Sequence, residues 1–120
     1  MRRRVGLLVI ALAAAMPNLL YAQTTSFSGR AAYYDPSYKG RTASGQPYDA
    51  SKFTAAHKTL PFGTKLRVTD RRTGRHVIVI VNDRGPFTPG RVIDLSLAAA
   101  KSLDMIKRGI ILVDAVHTTE

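Results

Sequence analysis

Residues 77–87 read VIVIVNDRGPF, and this stretch decides the fold. Its first five residues are all β-branched, which restricts their χ1 angles and favours a strand. We expect a strand over Val77–Val81 that is buried on both faces. Residues 82–90 then contain two Gly and two Pro, so the strand is predicted to pass directly into a loop.

Shorter strand patterns lie on both sides of this stretch. Residues 65–69 alternate between polar and apolar, which puts Leu66 and Val68 on one face of a strand. Residues 70–74 end in Gly and predict a hairpin turn. Further strands are predicted at residues 26–34, 53–57, 92–95 and 110–116.

The arrangement of these elements predicts the fold class. Ser96 can cap one short helix, whose Ala-rich body covers residues 97–103. Strands therefore alternate with irregular loops and not with helices, which argues against a parallel doubly wound sheet. We predict a mainly β protein: a small closed barrel of about six short strands with one short helix. Closure would leave no long strand edge open to aggregation.

Composition excludes several classes of site. The 120 residues contain no Cys, so a disulfide framework, a thiol nucleophile and a Cys-based zinc site are all excluded. The hydrophobic fraction of 45% supports a packed core, and the length fits one domain. None of the three His residues has a partner at metal-ligand spacing, so we expect no metal and no cofactor.

The first 22 residues have the pattern of a secretory signal peptide. Three Arg at positions 2–4 precede an apolar run over residues 5–16, and Ala22 offers a small residue before a cleavage site. The alternative is an uncleaved anchor, but Pro17-Asn18 interrupts the run well short of the roughly 20 residues that a spanning helix needs. We therefore predict a mature domain over residues 23–120, exported to the periplasm or cell envelope without a membrane anchor.

The mature chain is predicted to be basic. Without the three leader arginines, 15 Lys and Arg stand against 8 Asp and Glu, a net charge of +7. An exported basic domain meets anionic polymers such as cell-wall glycans, lipid headgroups or nucleic acid, and charge alone does not choose among them. Nucleic acid is the least favoured of these, because the basic residues are scattered and form no stripe.

Asp83 stands out among the eight acidic residues because it directly follows the buried run. A strand end aims a side chain more rigidly than a loop tip does, which suits a general acid. The alternative is structural: Asp83 caps a turn or pairs with Arg84. Most of the other acids are expected to be solvated charges or to point outward from a strand; these are Asp70, Asp104, Asp114 and Glu120.

Other polar and aromatic residues have two interpretations each. Asp94 lies in apolar sequence and is expected to be a buried structural partner of Arg84 or Arg91. His57 precedes a turn and, taken alone, is more often a hydrogen-bonded residue at the edge of a core than a catalytic one. Aromatic side chains in or beside the two long loops either stack on sugar rings or pack the barrel end; they are Tyr33, Tyr34, Tyr38, Tyr48 and Phe87.

Five motifs in order carry a resemblance to a known family. They are GRAAYY at 29–34, RTASG at 41–45, TAAHKTLPFGT at 54–64, VNDRGPF at 81–87 and GRVIDLS at 90–96. Together they resemble the rare lipoprotein A family of bacterial envelope proteins, and the likeness covers about residues 29–116. The resemblance implies a double-psi β-barrel, the fold shared with expansins, and lytic transglycosylase activity on peptidoglycan, reported for some members and absent in others.

What the resemblance implies for single residues follows from the motifs. Asp83 would be the acid/base that leaves a 1,6-anhydro end, and His57 would be the other catalytic residue, as a hydrogen-bonding partner in the site. Residues that would contact the substrate are Ser44, Gln46, Tyr34, Arg84 and Phe87, while Asp94 and Gly85 would shape the site. Active members typically carry Glu where this chain has Gln46, which cannot transfer a proton; Asp49, three residues on, is a possible substitute.

Two functions remain open from the sequence. The first is a monomeric exported enzyme that cleaves peptidoglycan glycan strands. The second is a non-catalytic, expansin-like glycan-binding module, which Gln46 favours.

Overall fold

The computed structural model describes residues 25–120, and the predicted signal peptide lies outside these residues. Within them, no helix is long and apolar enough to cross a membrane. These residues form six strands and one helix, α1. In chain order they are β1 (Ser26–Tyr33), β2 (Thr54–Ala56), β3 (Lys65–Asp70), β4 (His76–Asp83), β5 (Arg91–Leu95), α1 (Leu97–Ser102) and β6 (Ile111–His117).

The six strands close into a barrel in the order β1-β5-β2-β4-β3-β6. β1 pairs with the last strand, β6, in antiparallel register, and this pairing completes the ring. Two of the pairs, β1 with β5 and β2 with β4, are parallel, and the other pairs are antiparallel. The prediction of a closed six-stranded barrel with one short helix is therefore confirmed.

Alternating side chains fill the barrel interior. In β3, Leu66 and Val68 are fully buried, as the polar–apolar alternation predicts. In β4, Val77, Val79 and Val81 point inward, but Ile80 is 40% exposed. The prediction that this strand is buried on both faces is therefore wrong. A closed barrel has one inner face, so alternate residues of even a fully apolar strand face outward.

Helix α1 packs against the core of the barrel. Ser96 caps it as predicted, because its side-chain oxygen accepts a hydrogen bond from the backbone N–H of Ala99 at 3.3 Å. Ala99 and Ala100 are fully buried against the core, and Leu103 ends the helix one residue after Ser102. Small Ala side chains let this helix approach the strands closely.

Asp70 corrects another prediction. It was expected to be a solvated charge in the hairpin turn, yet only 1% of it is exposed. Its Oδ2 accepts a 2.6 Å hydrogen bond from Arg108, and its Oδ1 accepts one from the backbone N–H of Arg72 at 2.9 Å. Burial alone would raise the pKa of Asp70, but these hydrogen bonds outweigh burial and hold the pKa below its usual value.

Candidate active site

Asp83 is the last residue of β4 and lies where the sheet gives way to a loop. Its Oδ1 accepts two backbone hydrogen bonds, from Ala43 at 2.7 Å and from Arg84 at 2.8 Å. The bond to Arg84 is the turn cap that the sequence allowed as an alternative. The bond to Ala43 joins residues 40 positions apart, so Asp83 also anchors the long loop between β1 and β2.

Tyr34 occupies the other carboxylate oxygen of Asp83. Its phenolic hydroxyl donates to Oδ2 of Asp83 at 2.5 Å. Burial, followed by this hydrogen bond and the negative charge of Asp83, raises the pKa of Tyr34 far above its ordinary value. Tyr34 therefore remains protonated, with a hydroxyl that can donate or accept a hydrogen bond beside the carboxylate.

The loop that carries Ser44 and Gln46 is fixed against the end of β4. The Ser44 backbone N–H donates to the carbonyl of Asn82 at 3.2 Å. Within the loop, the carbonyl of Gln46 accepts from the backbone N–H of Thr42 at 2.8 Å and from its hydroxyl at 3.0 Å. These backbone bonds leave the side chains of Ser44 and Gln46 exposed on the same loop that contacts Asp83.

His57 follows β2 and lies next to Asp83 through the backbone, since its N–H donates to the Asp83 carbonyl at 3.1 Å. Its Nδ1 accepts two backbone hydrogen bonds, from Thr59 and Leu60, each at 3.1 Å. The hydrogen of the neutral ring is therefore on Nε2. Burial, and then the charges of Arg84 and Lys58, lower the pKa of His57, which favours this neutral form.

The resemblance implied that His57 is a hydrogen-bonding partner in the site. Among the described residues, its imidazole makes no hydrogen bond to the Asp83 carboxylate; the two residues are joined by their backbones.

Arg84 also contacts different groups from those that the sequence allowed. Its guanidinium donates to the carbonyls of His57 at 3.1 Å and Leu60 at 2.8 Å, and it lies 4.1 Å from the centre of the Phe62 ring. Arg84 thus pairs with neither Asp83 nor Asp94, because its side chain fixes the turn that follows His57.

Asp94 pairs with Arg91, the second of its two predicted partners, at 2.6 Å. The register across the sheet places Ala56 opposite Asp83 on one side and opposite Asp94 on the other. β4 carries Asp83 and β5 carries Asp94, and these two strands pair with β2 on either side of Ala56.

Gly85 and Phe87 form the loop beyond Asp83. Gly85 is buried and has a φ of +123°, a conformation that L side chains rarely adopt. Phe87 is 75% exposed, the most exposed of the large hydrophobic side chains in residues 25–120. Glycine adopts this conformation without strain, so the chain can turn here and leave the Phe87 ring exposed beside the strand end.

Three tyrosines continue the site away from Asp83. The rings of Tyr34 and Tyr48 stack with centroids 4.3 Å apart, and Tyr38 lies 5.5 Å from both. A cavity of about 570 Å³ adjoins this cluster. Its lining includes the rings of Tyr38 and Tyr48 and the side chain of Gln46. A second cavity, of about 370 Å³, is lined by Asp70 and Arg108 and does not include the residues around Asp83.

Sequence reasoning missed two features of this site. The backbone N–H of Ala43 binds Asp83, and no residue type could signal that contact. Lys39 and Lys52 line the larger cavity, and their positions in loops gave no sign that they meet there. In residues 25–120 there is no group of three or more His, Asp or Glu that could hold a metal ion.

Comparison with known proteins supplies independent findings. The family model described as "Lytic transglycolase" matches residues 26–115. A "Probable endolytic peptidoglycan transglycosylase RlpA" of Treponema pallidum is 44% identical over 117 residues, covering 93% of this chain and 36% of its own. The "Endolytic peptidoglycan transglycosylase RlpA" of Haemophilus influenzae is 50% identical over 95 residues, covering 77% of this chain and 33% of its own. This chain thus spans about a third of the length of these relatives.

Solved structures share the barrel. The Streptomyces papain inhibitor superposes with a TM-score of 0.64 at 29% identity, covering 78% of this chain and 94% of its own. An expansin of Clavibacter michiganensis superposes with a TM-score of 0.63 at 26% identity, covering 80% of this chain and 52% of its own. One barrel therefore carries proteins with very different names, so function must be argued from the site.

Proposed function

The chain belongs to the lytic transglycolase family of double-psi β-barrels, the rare lipoprotein A family, and from this membership we propose that it cleaves peptidoglycan glycan strands without water. The bond cleaved is that between N-acetylmuramic acid and N-acetylglucosamine. The products carry 1,6-anhydro-muramic ends. Asp83 serves as the single acid and base of the reaction.

The observation that carries this proposal is the asymmetric environment of the Asp83 carboxylate. Oδ1 accepts two backbone N–H bonds, which fix the orientation of the group. Oδ2 faces a hydroxyl, Tyr34, that can donate to the ionised carboxylate and accept from the protonated acid. A hydroxyl that can act in both ways is compatible with a carboxyl group that first gives and then takes a proton.

The reaction balances with Asp83 alone. Its protonated Oδ2 gives a proton to the glycosidic oxygen, and the bond from that oxygen to the anomeric carbon of the muramic unit breaks. The ionised Oδ2 then accepts the proton of the muramic C6 hydroxyl, whose oxygen attacks the same anomeric carbon. The carboxyl is protonated again, and no water is consumed.

Other residues bind and orient the strand in this proposal. His57 offers a neutral Nε2–H as a donor to the sugar, since its Nδ1 is already occupied. Ser44 and Gln46 offer a hydroxyl and an amide from the loop fixed to β4. Phe87 offers an exposed ring for a sugar face. Arg84 and Gly85 hold the two loops in place, and Asp94 is held by Arg91.

A glycan-binding module without turnover is the second candidate. Gln46, which cannot transfer a proton, favours it, and so does the likeness to an expansin. The chemistry above needs one carboxylic acid, whereas an inverting hydrolase needs two. Loss of an acid at position 46 is therefore compatible with a transglycosylase, and this is why we favour the enzyme.

Peptidoglycan sacculi test the two candidates. We expect the mature protein, residues 23–120, to release fragments with 1,6-anhydro-muramic ends, detected by mass spectrometry. Asp83→Asn should lower the rate by at least about 10²–10⁴-fold, as for loss of a general acid, while the folded structure is retained, as circular dichroism would show. Asp104→Asn, an exposed carboxylate outside the site, is the matched control and should retain full activity.

Two results would contradict the enzyme. Full activity in Asp83→Asn would remove its assigned acid. Protein that binds sacculi but forms no anhydro ends would support the glycan-binding module.

The proposed site of action is the cell envelope. It rests on the signal-peptide pattern at residues 1–22 and on a substrate found there, and we expect a soluble monomer after cleavage. A mature mass that still includes residues 1–22 would contradict this.

A further inference from the structure

We propose that the cavity beside the tyrosine cluster binds a carboxylate-bearing sugar unit of the glycan, next to the unit on which Asp83 acts. This inference rests on the proposed function and adds a binding site to it. The carboxylate comes either from the lactyl group of a muramic unit without peptide or from a stem peptide attached to it.

The cavity has the size and the wall for a sugar. Its volume of about 570 Å³ lies in the range of small-molecule sites, roughly 300–1,000 Å³. The rings of Tyr38 and Tyr48 form an aromatic wall, with centroids 5.5 Å apart. The apolar face of a pyranose packs against such a ring, and the amide of Gln46 lines the same cavity for its polar groups.

The charge of the cavity selects an acidic sugar. Lys39 and Lys52 both line it, and in residues 25–120 neither ammonium group makes a hydrogen bond or an ion pair. The one acid in the lining, Asp49, feels the charge of Lys52, but its Oδ1 is taken by the backbone N–H and hydroxyl of Ser51, at 2.9 and 2.6 Å. Two lysines are therefore available to a ligand carboxylate.

Asp49 is held within its own turn. The hydrogen bonds from Ser51, with a smaller contribution from Lys52, lower its pKa and favour the ionised carboxylate. Its place in the cavity is structural, because it holds the turn that carries Lys52.

Tyr34 connects the wall of the cavity to the catalytic centre, and a hydrogen bond to α1 holds that wall in place. Tyr34 stacks on Tyr48 at 4.3 Å and donates to Asp83, so a single side chain separates the cavity wall from the acid. The Tyr48 hydroxyl accepts a hydrogen bond from the backbone N–H of Leu97 at 3.0 Å, which ties the wall to α1. A glycan strand that extends from Asp83 past Tyr34 would place a neighbouring sugar against Tyr38.

Binding to three soluble oligosaccharides of equal length tests the site. They are a neutral N-acetylglucosamine oligomer, a peptide-free muramyl oligomer and a peptide-bearing muramyl oligomer. Titration calorimetry uses Asp83→Asn protein, so that no ligand is consumed. Adding Lys39→Gln and Lys52→Gln together should weaken binding of the acidic oligomers roughly 3- to 10-fold at low salt, as two exposed charge pairs would. Binding of the neutral oligomer should not change, and the effect should shrink at high salt.

Matched variants separate charge from ring contact. Lys101→Gln with Lys107→Gln removes the same charge from exposed positions outside the cavity and should leave all three affinities unchanged. Tyr38→Ala should weaken all three ligands, whereas Tyr38→Phe keeps the ring and loses only the 3.1 Å hydrogen bond to the Arg41 carbonyl. A loss limited to the peptide-free oligomer assigns the lactyl carboxylate, and a loss limited to the peptide-bearing one assigns the stem peptide.

Several results would overturn the site. These are no measurable binding of any oligomer, unchanged binding of the acidic oligomers after loss of both lysines, and an equal loss for the neutral oligomer. Sacculus cleavage by the unaltered protein is measured in parallel. Selective binding of the acidic oligomers without formation of anhydro ends would support the binding site and contradict the enzyme. Formation of anhydro ends, with unchanged binding of the acidic oligomers after loss of both lysines, would support the enzyme and contradict the binding site.

Discussion

The hydroxyl of Tyr34 donates to Oδ2 of Asp83 across 2.5 Å, and this bond joins the end of β1 to the end of β4. The two residues are 49 positions apart in the chain. Their contact depends on β5 and β2, which lie between β1 and β4 in the barrel. The closed sheet therefore brings together the proposed catalytic centre from the ends of two strands that are not paired with each other.

The Tyr34 phenol should not ionise in the folded protein near its ordinary pKa. Burial and the Asp83 carboxylate raise its pKa, so wild type and Tyr34→Phe should release equal numbers of phenolic protons up to roughly pH 11. Ultraviolet absorbance measures the release. In denaturant the wild type should release one more proton than the variant, and the same difference in the folded state would contradict the proposed environment.

Stability should also reflect this raised pKa. Because the unfolded chain releases the Tyr34 proton first, the contribution of Tyr34 is complete below about pH 10 and is lost as the pH rises further. The free energy of unfolding of wild type should thus fall more steeply above about pH 10 than that of Tyr34→Phe.

The imidazole of His57 should titrate below its ordinary value of about 6.5. Burial and the charges of Arg84 and Lys58 lower its pKa, and its Nδ1 already accepts two N–H bonds. Nuclear magnetic resonance follows the ring proton, and His57→Gln identifies its signal. Because the folded-state pKa is lowered, stability from this group should be present above about pH 6.5 and lost as the pH falls. A midpoint above 6.5 would count against this environment.

Asp70→Asn should lower the free energy of unfolding by about 3 kcal/mol, because it leaves the partly buried charge of Arg108 without its partner. Denaturant unfolding at pH 7 measures the loss. Asp114→Asn breaks the exposed pair with Arg71 and is the control; it should cost much less. Equal losses in the two variants would contradict the importance of burial.

The ion pair of Asp70 with Arg108 also predicts how the stability of the protein depends on pH in the acid range. The pKa of Asp70 is lowered in the folded state, so its contribution is present above about pH 4 and is lost as the pH falls further. Asp70→Asn should therefore lose less stability than wild type between neutral pH and about pH 2.

Gln46→Glu should change the initial rate on sacculi by less than about tenfold, since one carboxyl performs both proton transfers and general acid or base catalysis is worth roughly 10²–10⁴. The side chain is exposed, so the fold should tolerate the change. Gln46→Ser controls for loss of the amide. A rise of a hundredfold or more in Gln46→Glu would show that a second carboxylate takes part in the chemistry.

Local sequence patterns predict most of the fold. The β-branched run at 77–81 and the alternation at 65–69 both identify strands, and Ser96 identifies the start of α1. They fail where burial depends on distant partners. Ile80 faces solvent because the barrel has only one inner face, and Asp70 is buried because Arg108, 38 residues away, satisfies its charge.

The site is predictable to a similar extent. Position at a strand end singles out Asp83, and the five ordered motifs add His57 and Gln46. The direction of Arg84 is not predictable, because carbonyls at positions 57 and 60 compete with both carboxylates for its guanidinium. The sequence also does not predict that Lys39 and Lys52 line the same cavity, because the path of the long loop depends on hydrogen bonds to β4 and α1.

The pairing of β1 with β6 has a consequence for synthesis. Residue 26 pairs in register with residue 116, so the ring cannot close until all of residues 26–116 have left the ribosome. Until β6 pairs between them, β1 and β3 each have unpaired backbone groups along one side. Such late completion would suit the proposed export of the chain, and it makes residues 111–117 as decisive for closing the barrel as residues 26–33.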